Sequence, residues 1–198
     1  MKKISNFCLK IIFFILIFFP TYAENNVLKI ENSEAKVTVK VFSSLTCPHC
    51  AKFHSTVFND LKKDFIDKGL VNFEHHAFPL DLAALNAEII VRCHVDNNEK
   101  FQLLDKFYEK QKVWAVGSDI NKINDSIKKI GNENNLTFGK MDKCLKNEST
   151  QNDILNQRIQ AQKKYKIEST PTVLINEKKY SGKVVYKEFK KEIEKNLR

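Results

Sequence analysis

The chain has 198 residues, 42% of them apolar, and a formal charge of +9 from 33 basic and 24 acidic side chains. That length builds one domain of ordinary size, or one with a sizeable insertion, and it can bury a real core. The basic surplus is scattered in doublets such as Lys62-Lys63, Lys128-Lys129 and Lys163-Lys164, each beside acids or asparagines, which reads as solvated helix faces and excludes a nucleic-acid-binding surface.

The chain opens with a basic start (Lys2, Lys3, Lys10), an apolar run from Ile11 to Phe19, and Thr21-Tyr22-Ala23 before Glu24. Residues 1–23 read as a secretory signal peptide, because the apolar run is about half of the ~20 residues that a spanning helix needs. Its removal lowers the charge to +6, 30 basic against 24 acidic, and leaves four cysteines: Cys47, Cys50, Cys93 and Cys144. An even number of cysteines in an exported chain suits an oxidising compartment.

Val27 to Ile30 and Lys36 to Ser43 read as strands, the second alternating Val37, Val39 and Val41 with Thr38, Lys40 and Phe42. A helix over 51–67 follows, with Phe53, Val57, Leu61 and Phe65 as its apolar residues and Gly69 as its stop; Leu70 to Phe78 is a third strand, ended by Pro79. From Asp81 the pattern is helical only. Leu82, Leu85, Ile89 and Cys93 share one face; Phe101, Leu104 and Tyr108 mark a second helix; Ile120, Ile123, Ile127 and Ile130 mark a third behind a Ser118-Asp119 cap; and Phe138, Met141 and Leu145 mark a fourth. A long helix over 150–166 returns the chain to the sheet. Thr172 to Asn176 and Lys178 to Ser181 form a hairpin around Asn176-Glu177, and Tyr186, Phe189, Ile193 and Leu197 mark a closing amphipathic helix.

Cys47-Pro48-His49-Cys50 sits where the Val-rich strand hands over to a helix. A cysteine at a helix N-terminus faces unpaired backbone N–H groups and the positive end of the helix dipole, which stabilise its thiolate. A protonated His49 adds a second positive charge, Pro48 suits the first turn, and Cys50 can reach the first sulfur and close a disulfide ring. The pair therefore reads as a reversible redox site. Half of a zinc site has the same spacing, and an inert structural disulfide is a third reading. Zinc needs two more ligands, from Cys93, Cys144 or His54, and no second C-x-x-C or H-x-x-x-H accompanies the motif. His75 and His76 on a strand point to opposite faces and cannot chelate one ion together; no metal is expected.

Ser169-Thr170-Pro171-Thr172 opens the strand Val173-Leu174-Ile175 after the long helix. A strand-Cys-Pro-His-Cys-helix unit, a helical insertion, and Thr-Pro before a β-hairpin and last helix resemble the DsbA family of thiol-disulfide oxidoreductases in the thioredoxin superfamily. The resemblance covers essentially the whole mature chain, and Phe78-Pro79-Leu80-Asp81 also looks like the family. It implies an α/β thioredoxin fold with an all-helical insertion: residues 24–80 and 150–198 as the thioredoxin-like domain, 81–149 as the insertion. It makes Cys47 the nucleophile with an exposed sulfur and Cys50 the buried resolving cysteine. His49 would stabilise the thiolate, Pro48 and His49 would tune the potential, and Pro171 would be a cis-proline facing the disulfide, with Thr170 pairing its backbone with an extended substrate peptide.

The function so implied is a periplasmic dithiol oxidase that passes a Cys47–Cys50 disulfide to reduced or unfolded exported proteins through a mixed disulfide, with no other cofactor. A quinone-linked membrane reoxidase is the expected partner. Isomerase and reductase relatives carry an added dimerisation domain, so a monomeric oxidase is expected here; a disulfide isomerase or reductase, or a non-catalytic metal- or peptide-binding module on this fold, is the alternative. Cys93 and Cys144 lie on apolar helix faces, either as two small buried side chains or as a second disulfide, which some family members carry; the disulfide is the expectation. In two places the chain departs from the family. Val41 stands where members often place a buried acid that accepts a proton near the resolving thiol, with Glu74 or a water as possible substitutes. Asn176-Glu177-Lys178 lacks the glycine usual in the hairpin turn.

Overall fold

A computed structural model describes residues 27–198. The signal read over residues 1–23 lies outside the described residues. Five strands, β1 (Leu28–Ile30), β2 (Val37–Ser43), β3 (Val71–Ala77), β4 (Thr172–Ile175) and β5 (Lys178–Lys179), form one sheet in the order β1-β3-β2-β4-β5. Only β2 and β3 run parallel; β1 with β3, β2 with β4 and β4 with β5 are antiparallel. Parallel neighbours need a crossover, and helix α1, residues 48–66, supplies it.

Helix α1 is not uniform. Its α-helical stretches Pro48–Phe53 and Asn59–Leu61 alternate with wider turns over His54–Phe58 and Lys62–Ile66. There the N–H groups of Asn59 and Asp67 reach back five residues, to the carbonyls of His54 and Lys62. The spacing explains this. Phe53, Val57, Leu61 and Phe65 recur every fourth residue, and in a 3.6-residue helix each such step overshoots by about 40°. Wider turns offset that drift, and all four side chains are buried in the main core.

The sheet separates two layers. Val37, Val39, Val41 and Phe73 pack on one face with α1 and with Phe189 and Ile193 of the last helix, α8 (Tyr186–Leu197). Phe42 and Leu174 lie on the other face with Ala161 of α7 (Glu148–Tyr165) and with Phe78 and Ile167. Between β3 and α7 stand five helices: α2 (Leu82–Arg92), α3 (Asn97–Glu109), α4 (Gln111–Trp114), α5 (Ile120–Glu133) and α6 (Phe138–Leu145). Asp81, Asp96, Asp119, Thr137 and Asn147 cap α2, α3, α5, α6 and α7 by accepting backbone N–H bonds. The sequence pattern did not separate α4 from the loop, because its anchor Trp114 is a single buried side chain whose indole N–H donates to the Phe107 carbonyl at 2.8 Å. Cys93, at the end of α2, is disulfide-bonded to Cys144 of α6, with 6.0 Å between Cα atoms.

The β4–β5 turn manages without glycine. Asn176 and Glu177 take φ of 47° and 66°, a left-handed geometry that costs a side-chain-bearing residue about 1 kcal/mol or more. Asn176 offsets it by accepting from the Thr38 N–H through Oδ1 at 2.9 Å and donating its own N–H to the Thr38 carbonyl. Glu177 is held by Lys40 and by the Tyr165 hydroxyl, each at 2.6 Å.

Candidate active site

The β2 strand ends at Ser43, and Cys47 caps α1 in an extended conformation with Pro48 in the first turn. The Cys47 carbonyl accepts from the N–H groups of Cys50 and Ala51 at 3.0 and 3.2 Å. Gln111, buried at the start of α4, donates its side-chain amide to the carbonyls of Leu45 at 2.7 Å and Cys47 at 3.0 Å, which fixes the turn from the insertion side. A second tie comes from the Thr46 hydroxyl, which donates to Asp81 Oδ2 at 2.7 Å.

Cys47 and Cys50 are free thiols in this structure. Cys47 is 7% exposed and Cys50 1%, so the expectation of an exposed Cys47 sulfur is corrected: both cysteines are buried in this structure. The reason is the opposing wall. Thr170-Pro171 is a cis peptide, and the Cys47 thiol donates to the Thr170 carbonyl at 3.3 Å. Thr170 Oγ1 is buried without a hydrogen-bond partner among the described residues, which leaves its proton available to a Cys47 thiolate.

The two sulfurs differ in acidity. Burial works to raise the Cys47 pKa, but the thiolate, once formed, is met by the free Thr170 hydroxyl, by the backbone N–H groups of Cys50 and His49 and by the Cys50 thiol, and these outweigh burial and hold Cys47 below the ordinary thiol value. Burial pushes Cys50 well above that value, and the nearby Cys47 charge adds to the rise. His49 is exposed on the first turn and contributes to the thiolate through its backbone N–H.

Beneath Cys50 lies a small cavity lined in part by Val41, Ser43, His75 and Tyr108. The Tyr108 hydroxyl donates to Ser43 Oγ at 3.0 Å, Ser43 Oγ lies 3.2 Å from His75 Nδ1, and His75 Nε2 lies 2.6 Å from Glu88. Glu74, offered above as a substitute for the missing acid, is corrected. It sits on the opposite face of β3, bonded to His76 at 2.6 Å and paired with Lys40 at 3.5 Å, because neighbouring strand residues point apart. His54 is bonded to Asp105 at 2.6 Å and His94 to Glu99 at 3.0 Å. Among the described residues no three His, Cys, Asp or Glu side chains cluster as metal ligands.

Sequence reasoning passed over Gln111, Ser43, Tyr108 and Glu88. A polar residue on an otherwise apolar helix face was the available signal for Glu88, which sits one position before Ile89 and is buried with it.

A parallel β2–α1–β3 unit, a dithiol at the N-terminus of α1, a facing cis-proline and an all-helical insertion define a thioredoxin-fold dithiol protein. A family profile described as Thioredoxin (Thioredoxin_4) matches residues 25–195. Disulfide bond formation protein D of Bacillus subtilis (strain 168) is 32% identical over 174 residues, covering 83% of this chain and 74% of that protein. A Rickettsia bellii (strain RML369-C) relative named for protein-disulfide oxidoreductase activity is 29% identical over 153 residues, 77% of this chain and 58% of its own length. This chain thus spans little more than half of that relative. The crystal structure of Wolbachia pipientis alpha-DsbA1 superposes with a TM-score of 0.80 at 24% identity, covering 87% of this chain and 92% of that one, and so shares the fold. The chain belongs to the DsbA-like thioredoxin family of thiol-disulfide oxidoreductases.

Proposed function

We propose that this protein is a dithiol oxidase of the bacterial periplasm that transfers a Cys47–Cys50 disulfide to reduced exported proteins. The observation that carries the reading is the opposite treatment of the two sulfurs, Cys47 held below and Cys50 pushed above the ordinary thiol range. A substrate thiolate attacks Cys47 Sγ; the Cys47–Cys50 bond breaks, and Cys50 leaves and takes up a proton. A second substrate thiolate then attacks the substrate sulfur of the mixed disulfide and expels the Cys47 thiolate, a good leaving group because its pKa is low. Two substrate thiols are oxidised to a disulfide and the protein disulfide is reduced to a dithiol.

The Thr170 backbone beside Cys47 is the dock for an extended substrate segment. A quinone-linked membrane protein is the reoxidant, and the protein acts as a monomer. Among the described residues no helix is long and apolar enough to cross a membrane. Equilibration with a glutathione series, together with denaturant unfolding of each redox form, tests the reading. The reduced form is expected to be the more stable. An oxidised form more stable by about 1 kcal/mol or more would replace the oxidase with a reductase.

A further inference from the structure

Cys50 must gain a proton when it leaves and lose one when it attacks, yet it is 1% exposed. Something inside the protein must carry that proton. The β2–β3 register sets Val41 beside His75, so the β2 position that lacks an ionisable group lies next to a β3 position that has one, on the same face of the sheet. His75 lines the small cavity beneath Cys50 and also a second cavity of about 240 Å³ between β1, α2 and α3, which it shares with Glu88, Arg92 and Lys100. It is the one residue common to both linings. The cavity beneath Cys50, about 10 Å³ with Ser43, His54 and Tyr108 in its wall, has room for roughly one water.

The hydrogen-bond order gives this chain a direction. Tyr108 is the donor to Ser43, and its burial keeps the phenol protonated, with Cys50 and Glu88 adding to the effect. A carboxylate can only accept, so with Glu88 2.6 Å from Nε2 that nitrogen carries the ring proton, and Nδ1, 3.2 Å from Ser43 Oγ, is left to accept from the serine hydroxyl. The carboxylate thereby selects the tautomer whose basic nitrogen faces Ser43 and the Cys50 cavity. Once protonated, the imidazolium is paired in place with Glu88, which avoids an isolated buried charge.

We propose that the His75–Glu88 pair is the proton relay for Cys50, connecting its sulfur through Ser43 to the cavity at Arg92 and Lys100. When Cys50 attacks, its proton passes by way of Ser43 to His75 Nδ1 and the imidazolium pairs with Glu88; when Cys50 leaves, that Nδ1 proton returns by way of Ser43 to the thiolate, leaving the neutral, Nε2-protonated imidazole, and Glu88 opens the pair to proton exchange with the outer cavity. His75 and Glu88 are positioning and relay residues and do not touch the disulfide. The ionisable and charged groups facing them are Cys50 and His54 from α1, Tyr108 and Lys100 from α3, Arg92 from α2, and Asp153 of α7, which is paired with Arg92 at 3.1 Å.

The relay rests on the thiol-exchange reading, and one experiment separates the two. The reduced protein is mixed with an aromatic disulfide whose released thiol absorbs light. A first phase reports attack by Cys47, and a second reports attack by Cys50 on the resulting mixed disulfide. Across a pH series the second phase is expected to show an ionisation that disappears in His75→Gln, with the rate near neutrality falling about 100-fold. Glu88→Gln is expected to fall about tenfold, between the two. The first phase stays unchanged in both variants and shows that the fold is intact. An unaltered second-phase pH profile in His75→Gln overturns the relay alone. Absence of the first phase in the unmodified protein overturns the exchange reading. Should His75→Gln fail to fold, Ser43→Ala cuts the path and leaves the buried pair in place. It is expected to slow the second phase as His75→Gln does, and an unchanged rate there overturns the relay.

Discussion

The Cys47 thiol and the Thr170 carbonyl, 123 positions apart in the chain, are hydrogen-bonded at 3.3 Å. A carbonyl accepts but cannot donate, so this bond serves the thiol and is lost on ionisation. The thiolate then relies on donors, and the buried, otherwise unpartnered Thr170 Oγ1 is one of them. Thr170→Val keeps the shape and removes that donor. It is expected to raise the Cys47 pKa by about one unit, read from thiolate ultraviolet absorbance; no change would remove the hydroxyl from the account.

The acidity difference between the sulfurs fixes how stability varies with pH. Cys47 has a folded pKa below its unfolded value, so its contribution is present above the unfolded pKa and is lost as pH falls through the folded one. Cys50 has a folded pKa above its unfolded value, so its contribution is present below the unfolded pKa and is lost as pH rises through the folded one. The oxidised form has neither thiol. The stability of the reduced protein relative to the oxidised one is therefore expected to rise with pH up to the ordinary thiol range and fall beyond it. Denaturant titrations of both forms across that range check the shape; a flat difference would contradict both assignments.

Cys50→Ala leaves Cys47 without an internal partner. Expressed as the full 198-residue chain, this variant is expected to accumulate mixed disulfides with substrate proteins through Cys47, visible as thiol-sensitive bands in non-reducing gels. Bands that persist after Cys47 is also replaced would move the nucleophile elsewhere.

The Cys93–Cys144 bond closes a loop across a sequence separation of 51. In the chain-entropy account, removing both cysteines as Cys93→Ala with Cys144→Ala costs about 2–4 kcal/mol. The expected outcome is a lower unfolding midpoint with unchanged reactivity of Cys47. Loss of that reactivity would make the bond part of the site.

Much of this architecture was readable from periodicity. The alternation of Val37, Val39 and Val41 placed β2, and the four-residue spacing from Phe53 to Phe65 placed α1, although not its wider turns, which depend on the core it must face. Asp119 was readable as a cap because a short acceptor before an isoleucine repeat has a local cause. Gln111 was not, because its two bonds go to carbonyls 66 and 64 residues away and nothing near it in sequence calls for them. Glu74 was misread for a related reason. Alternation along β3 separates it from His75, but which of the two faces Cys50 depends on how β3 lies against β2, and that register is a tertiary fact.

Helix α2 is secured at both ends. Asp81 at its start holds its own Ala84 N–H and the hydroxyl of Thr46, the neighbour of Cys47, each at 2.7 Å; Cys93 at its far end is covalently joined to α6. A rod clamped at both ends resists bending and sliding. Glu88, midway along it, is thus held between the turn at Thr46 and the Cys93–Cys144 bond, so that one sulfur pair lends mechanical support to the surroundings of the other.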